Sequence, residues 1–360
     1  MSSSSNSALQ QERALSPSQC DKVSFLSVPE NYREHTRHVV VIQTHHAWVF
    51  LTDRYAYKMK KPSRHGNRDF TSLDTRRRLC AEELRLNRRL ARRTYIGLVP
   101  LVVGADRRLE LGADGTVVEW LVKMRRLPDE QLLNHAAANG LVTDEDISRL
   151  MRKLHDFYRH APVCRHGKSS YPLHLQNEVC SVEQELEKPR FQFSETLVRE
   201  VVDRQKDYIK ICKETLERRQ RDGHVREVHG DLRPEHICLM PDAEPEIIDS
   251  LEFDPALRCL DCVEELSSLG LECRMIDQEW IEKKITAWYR SNGHDEVPMH
   301  LWHFYGARRA STRAMLCAWH TLDAGTANQW LDRGREYPVS YTHLTLPTTL
   351  PRCRSRWSGG

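Results

Sequence analysis

The sequence predicts an α+β chain of two lobes: a small strand-rich front with one long helix, then a larger helical back interrupted by one small hairpin. Three observations predict it. Short β-branched and aromatic runs separated by turn residues fill the first third. Helical apolar spacing dominates from Thr143 onward. Two short apolar runs joined by Pro241-Asp242-Ala243-Glu244-Pro245 then break that helical pattern. A length of 360 residues suits this division.

Residues 1–20 are Ser-rich and polar and read as a disordered leader. Val39-Val40-Val41-Ile42, Trp48-Val49-Phe50-Leu51 and Tyr55 to Lys60 read as three strands with hairpin-length links. A helix is expected from about Ser72 to Arg93, on apolar positions Leu79, Leu84, Leu86 and Leu90. Leu98 to Val103, Arg108 to Leu111 and Thr116 to Met124 read as strands, with turns at Gly104-Ala105-Asp106 and Ala113-Asp114-Gly115. Thr143-x-x-Asp146 reads as a capping box ahead of Ile147, Leu150, Met151, Leu154, Phe157 and Tyr158. A second long helix is expected from Ser194 to about Arg221, stopped by Asp222-Gly223. Ile237 to Met240 and Glu246 to Asp249 form the hairpin, and helices return at about 256–272, 277–291 and 298–322. The front lobe is thus set at 21–126 and the helical lobe at 127–337. The stretch 338–360 continues no pattern and reads as a non-native tail.

Composition excludes several classes. Lys and Arg total 54 against 51 Asp and Glu, a net charge of +3, so no nucleic-acid partner is expected. The Arg-rich helix with Arg76, Arg77, Arg78, Arg85, Arg88, Arg89, Arg92 and Arg93 reads as a solvated face with some structural pairs. No run of eighteen apolar residues is present, so no membrane span is expected. The 11 cysteines are scattered, and their lone C-x-x-C, Cys259-Leu260-Asp261-Cys262, lacks the second pair that zinc requires. The region around it reads as helical, and the thiols as reduced, in a cytoplasmic protein.

The chemistry concentrates in Val228-His229-Gly230-Asp231-Leu232-Arg233-Pro234-Glu235-His236-Ile237. This run resembles the kinase catalytic loop H-R-D-L-x-x-x-N. It is more similar still to the H-G-D form of aminoglycoside and choline phosphotransferases. Tyr55-Ala56-Tyr57-Lys58 resembles V-A-I-K of the third kinase strand, and Ile247-Ile248-Asp249 resembles the strand that delivers the metal-binding aspartate. Further segments match an uncharacterised bacterial branch of the aminoglycoside phosphotransferase-like proteins. These are Thr44-His45-x-x-Trp48-Val49-Phe50-Leu51, Tyr57-Lys58-Met59-Lys60-Lys61-Pro62, Arg77 to Asn87, Glu119-Trp120-x-x-Lys123-Met124 and Asp249-x-x-Glu252-Phe253. Some members of that branch are fused to a P-loop ATPase domain. This chain carries no G-x-x-x-x-G-K-[ST].

The resemblance implies a bilobal protein-kinase-like fold and an ATP-dependent phosphotransferase acting on a small-molecule hydroxyl. Asp231 would be the base, and Arg233 would neutralise charge on the transferred group. Lys58 or Lys60, which share one face of their strand, would reach the phosphates, with Glu83 as the ion-pair partner. Asp249 would hold Mg²⁺. Met124 would open the hinge at which adenine binds. His229 is expected to brace the loop, and His45, His46 and His155 to be structural histidines.

Two departures stand out. No G-x-G-x-x-G precedes Lys58, so Thr44 and its backbone neighbours are the remaining candidates to meet phosphates. His236 stands where the family has a magnesium-binding Asn. Either it leaves one metal site, favours Mn²⁺ or marks a weakened enzyme, or it packs beneath the loop. The competing reading is a catalytically weakened pseudokinase that senses nucleotide or serves as a scaffold.

Overall fold

The computed structural model describes residues 17–65, 68–165, 170–188, 194–241, 243–293 and 295–324. The chain divides into two compact units. The first runs to Val142 and takes back Glu235–Pro255; the second holds Thr143–Pro234 and the chain from Ala256. The expected division at residue 126 therefore moves to 142, and the small hairpin is grouped with the first unit. The greater part of the expected leader, and all of the expected tail, lie outside the described residues. Ser18, at the leader's end, already caps helix α1 (Gln19–Leu26) through a reciprocal box with Asp21.

In the first unit β1 (Val40–Gln43), β2 (Ala47–Leu51) and β3 (Tyr55–Lys60) form an antiparallel meander. A two-residue ladder, β4 (Arg64–His65) with β5 (Arg68–Asp69), leads to helix α2 (Leu73–Asn87). β6 (Tyr95–Val103), β7 (Leu109–Leu111) and β8 (Thr116–Arg125) complete a six-stranded sheet ordered β1-β2-β3-β8-β6-β7. Period-two alternation along β3 sends Tyr57 and Met59 into a core with Leu26, Phe50, Leu101 and Leu121. Ala56 faces the other way, in a core with Cys80, Tyr95, Val122 and Met124.

Helix α2 ends about six residues before the expected position. The Asn87 side chain donates to the Glu83 carbonyl and accepts from the Ser250 N–H. Its carbonyl meanwhile receives the N–H groups of Leu90 and Ala91 in a tighter turn. Arg76 also departs from the expected solvated face. It is buried, with Nη2 and Nε 2.8 and 2.9 Å from Glu119, which Lys22 also contacts at 3.1 Å.

Helix α3 (Leu133–Ala138) closes this unit's first segment. The second unit begins with α4 (Asp144–His160), where Thr143 and Asp146 form the expected box and all six predicted apolar residues are buried. Helix α5 (Tyr171–Leu186) was not expected. The expected Ser194–Arg221 helix is two, α6 (Glu195–Ile211) and α7 (Lys213–Arg221), broken at Cys212. Gly223 follows with φ 78°, the left-handed stop that glycine permits.

β9 (Val225–Glu227) leads to the H-G-D loop. In the first unit, β10 (Ile237–Cys238) pairs with β11 (Glu246–Ile247), shorter than predicted but in the predicted place. β12 (Cys259–Asp261) pairs antiparallel with β9, which corrects the helical reading of the C-x-x-C segment. Asp261 then accepts the Val263 N–H and starts α8 (Cys262–Arg274), which packs on α9 (Glu279–Asn292) and α10 (Met299–Ala324). Cys259 is bonded not to Cys262 but to Cys164, whose N–H pairs with the Val225 carbonyl. That bond corrects the expectation that every thiol is reduced. Cys80, Cys212, Cys238, Cys262, Cys273 and Cys317 are buried and outside any disulfide. Among the described residues no helix is long and apolar enough to cross a membrane.

Candidate functional site

In the first unit the strand alternation that buries Tyr57 and Met59 turns Lys58 and Lys60 toward α2. Glu83 meets them there, with no exposed surface. Lys58 Nζ lies 3.1 Å from Glu83 Oε1, and Lys60 Nζ 2.5 Å from Oε2. Lys58 also pairs with Asp249, and Lys60 with Glu252 at 2.5 Å. Two ammoniums therefore sit among three carboxylates. The neighbouring Glu82 points outward to Arg85 at 2.7 Å, so helical phase alone separates the two glutamates. Burial works against the charge on Lys58, but Asp249, Glu83 and Glu252 raise its pKa well above the usual lysine value. Lys60 is likewise raised, against burial, by Glu252 and Glu83. Glu83 is opposed by burial too, yet the two lysines hold its pKa below the usual glutamate value.

The hairpin delivers Asp249. Ile237 faces Ile247, and the Ile248 N–H donates to the His236 carbonyl at 2.9 Å, so His236 and Asp249 both lie just past the last strand pair. Asp249 has φ 65°, a conformation few non-glycine residues tolerate and one found often at functional sites. Its N–H donates to Tyr95 Oη at 3.2 Å, and the next N–H, of Ser250, to Asn87. Its side chain remains 41% exposed, whereas those of Lys58 and Lys60 are 14% and 7% exposed. His236 Nε2 lies 3.7 Å from Asp249 Oδ2.

Thr44 and Met124 have other partners. The Thr44 hydroxyl accepts the Ala47 N–H at 3.0 Å, and the Thr44 N–H donates to the Ala47 carbonyl at 2.9 Å. That hydroxyl closes the β1–β2 turn. Met124 is buried beside Ala56 and Tyr95. The N–H groups of Arg125 and Arg126, in the expected hinge, bond to the carbonyls of Thr94 and Arg54 at 2.8 and 2.9 Å.

In the second unit Gly230 takes φ 90°, which admits glycine and strains other residues. Glu265 on α8 accepts the Gly230 N–H at 2.7 Å and the His229 N–H at 3.3 Å, and Tyr158 donates to it at 2.8 Å. His229 is fully buried, and its Nδ1 accepts the Asp231 N–H at 3.3 Å. The imidazole thus braces the loop. Asp231 Oδ1 lies 2.8 Å from Arg309 Nη2, and Oδ2 lies 3.1 Å from Arg233 Nε. Glu265 and Arg309 escaped the sequence reading. Glu265 alone had a signal, charge within a buried helix: α8 is buried from Cys262 to Cys273 and still carries Glu264, Glu265 and Glu272.

Among the described residues no group of three or more His, Cys, Asp or Glu side chains is arranged to hold a metal ion. The donor set of the hairpin fits a nucleotide-bound Mg²⁺ nonetheless. Such an ion uses one or two carboxylates and takes its other oxygens from phosphates and water. Asp249, with its side chain partly exposed, offers that carboxylate. The imidazole of His236 is a donor better suited to Mn²⁺.

No family model matches the sequence. Uncharacterised proteins of Mycobacterium tuberculosis and Mycobacterium bovis are each 28% identical to it over 317 residues, covering 86% of this chain and 60% of theirs. The chain thus spans about three-fifths of the length of these curated relatives. Among solved structures, a choline kinase of Cryptosporidium parvum aligns with a TM-score of 0.53 at 10% identity, over 89% of this chain and 93% of that one. A choline kinase of Streptococcus pneumoniae aligns at 0.52 and 12% identity, over 91% and 100%. A choline/ethanolamine kinase family protein of Mesorhizobium loti aligns at 0.51 and 11%, over 90% and 92%. The chain has the bilobal, kinase-like α+β fold of these small-molecule kinases.

Proposed function

We propose that the protein is an ATP-dependent phosphotransferase that moves the γ-phosphoryl group onto a hydroxyl of a small-molecule acceptor. The observation that carries this reading is Glu83, wholly buried, gripping Lys58 beside Asp249. An ion pair between a strand lysine and a helix glutamate is the device by which kinases orient a cation for the nucleotide phosphates. The more exposed Lys58 is assigned that contact; Lys60 seats the opposite oxygen of Glu83 and ties down Glu252.

Asp231 accepts the proton of the acceptor hydroxyl as its oxygen bonds to Pγ. The bridge between Pβ and Pγ breaks, and ADP leaves. The loop bonds to Glu265 and His229 hold the carboxylate in place, which supplies the orientation such a reaction needs. Arg233 offers a guanidinium to the oxygens of the moving group. Asp249, with His236 beside it, would hold Mg²⁺ or Mn²⁺, which offsets phosphate charge when bound.

The second reading, a nucleotide-binding pseudokinase, is favoured by His236 standing beside Asp249 where an amide oxygen would serve magnesium. Transfer from γ-labelled ATP to a panel of hydroxyl compounds, with Mg²⁺ and then Mn²⁺, separates the two. Labelled product that disappears in Asp231→Asn supports the enzyme. Nucleotide-dependent thermal stabilisation without any transfer supports the pseudokinase.

A further inference from the structure

We infer that the acceptor is an anion: a hydroxyl compound that carries a carboxylate or phosphate group, bound through Arg309. This deepens the phosphotransferase reading, on which it rests, by naming the class of its substrate.

Positive charge gathers around Asp231. Arg309 Nη2 lies 2.8 Å from Asp231 Oδ1 and 3.5 Å from Glu272 Oε1. Arg313 Nε lies 2.9 Å from the same Glu272 oxygen, and Arg233 Nε 3.1 Å from Asp231 Oδ2. Three guanidiniums therefore gather on two carboxylates. The Arg309 side chain is 12% exposed. Both its contacts use a single terminal nitrogen. Arginine presents five N–H donors in a planar fork that matches a carboxylate or phosphate in bidentate fashion.

The same cluster opposes a cation. An ammonium brought to Asp231 would meet Arg309 and Arg233 at ion-pair range, and like charges in a partly buried site repel strongly. Two neighbouring carboxylates are already paired with arginines, Glu272 with Arg313 and Arg309, and Glu264 with Arg308, and Glu265 is engaged by the loop N–H groups and Tyr158. A neutral polyol would leave the Arg309 fork unmatched. An anion satisfies it and places its own hydroxyl beside Asp231.

The test is calorimetric titration of the full chain, saturated with ADP so that nucleotide phosphates are already in place. The probes are gluconate, glycerate and glucose 6-phosphate, against glucose and glycerol, and against choline. Native protein should bind at least one anionic probe about tenfold or more tighter than its neutral counterpart, with choline weakest. Arg309→Gln should weaken that binding by about 10- to 100-fold, the size expected for losing a charge-assisted contact. Arg309→Lys, which keeps the charge beside Glu272 and guards against misfolding, should fall between. Neutral or cationic probes binding as tightly as anions, no anion binding at all, or anion binding indifferent to Arg309→Gln would each overturn the inference. Transfer of phosphoryl groups is scored separately. Arg309-dependent anion binding with no transfer to any probe would sink the phosphotransferase reading and leave the anion site standing. Transfer to choline would do the reverse.

Discussion

Replacing Glu83 with glutamine isolates what the buried carboxylate does. The two side chains have nearly the same shape, so the packing of α2 on the sheet should survive. The amide keeps one acceptor oxygen for one lysine but turns an NH₂ donor toward the other ammonium, where Oε1 or Oε2 stood 3.1 or 2.5 Å away. A hydrogen bond to a charged group contributes about 1.5–3 kcal/mol, and breaking a buried ion pair from one side costs about 3–5 kcal/mol. Asp249 and Glu252 still hold the two lysines, which places the expected loss near the lower figure, about 3 kcal/mol. Denaturant unfolding of the full chain at neutral pH measures it. The pH dependence supplies a second check. The folded pKa of Glu83 lies below its reference of 4.5, so its stabilisation is complete above pH 4.5 and is lost as pH falls through the folded value. The gap between native protein and Glu83→Gln should therefore narrow on acidification. A loss under about 1 kcal/mol at neutral pH, or a gap that widens in acid, would refute the reasoning.

Other outcomes follow from the same geometry. Gly230→Ala places a Cβ at φ 90° and should cost about 1–2 kcal/mol in unfolding experiments while slowing any transfer. Glu265→Gln sets an amide donor against the N–H groups of His229 and Gly230 and should lower stability by about 2–3 kcal/mol; a variant as stable as the native protein would remove Glu265 as the loop's support. Asp231→Asn should retain nucleotide-dependent thermal stabilisation while reducing turnover by about 10²- to 10⁴-fold, the range for losing a general base. His236→Asn replaces the imidazole with an amide oxygen and should shift metal preference from Mn²⁺ toward Mg²⁺ in nucleotide binding; an unchanged preference would place His236 outside the metal's reach.

Much of this was legible in the residues, for reasons that can be stated locally. β3 was found to the residue, because its aromatic and apolar positions alternate cleanly and turn residues bound it. The α4 box was found because Thr143 and Asp146 sit three apart before a strong apolar stripe. Choosing Glu83 over Glu82 required the resemblance to kinases, because both glutamates lie on a polar helix whose buried face holds Arg76, Cys80 and Asn87. Periodicity does not reveal a face built from paired charges. The three-residue strands β9 and β12 were missed because each is too short to show alternation, and their pairing is a tertiary fact. The Cys164–Cys259 bond joins residues 95 apart, which spacing rules do not reach. Arg309 was invisible for a related reason: an arginine in an apolar helix acquires meaning only once Asp231 is seen beside it.

The most direct test of the central claim is single-turnover formation of ADP from ATP with an acceptor mixture, run on native protein, Asp231→Asn and Asp249→Asn. Native protein should give a metal-dependent burst that both single substitutions suppress, although Asp231→Asn still binds nucleotide. Turnover that persists in both variants at the native rate would contradict it.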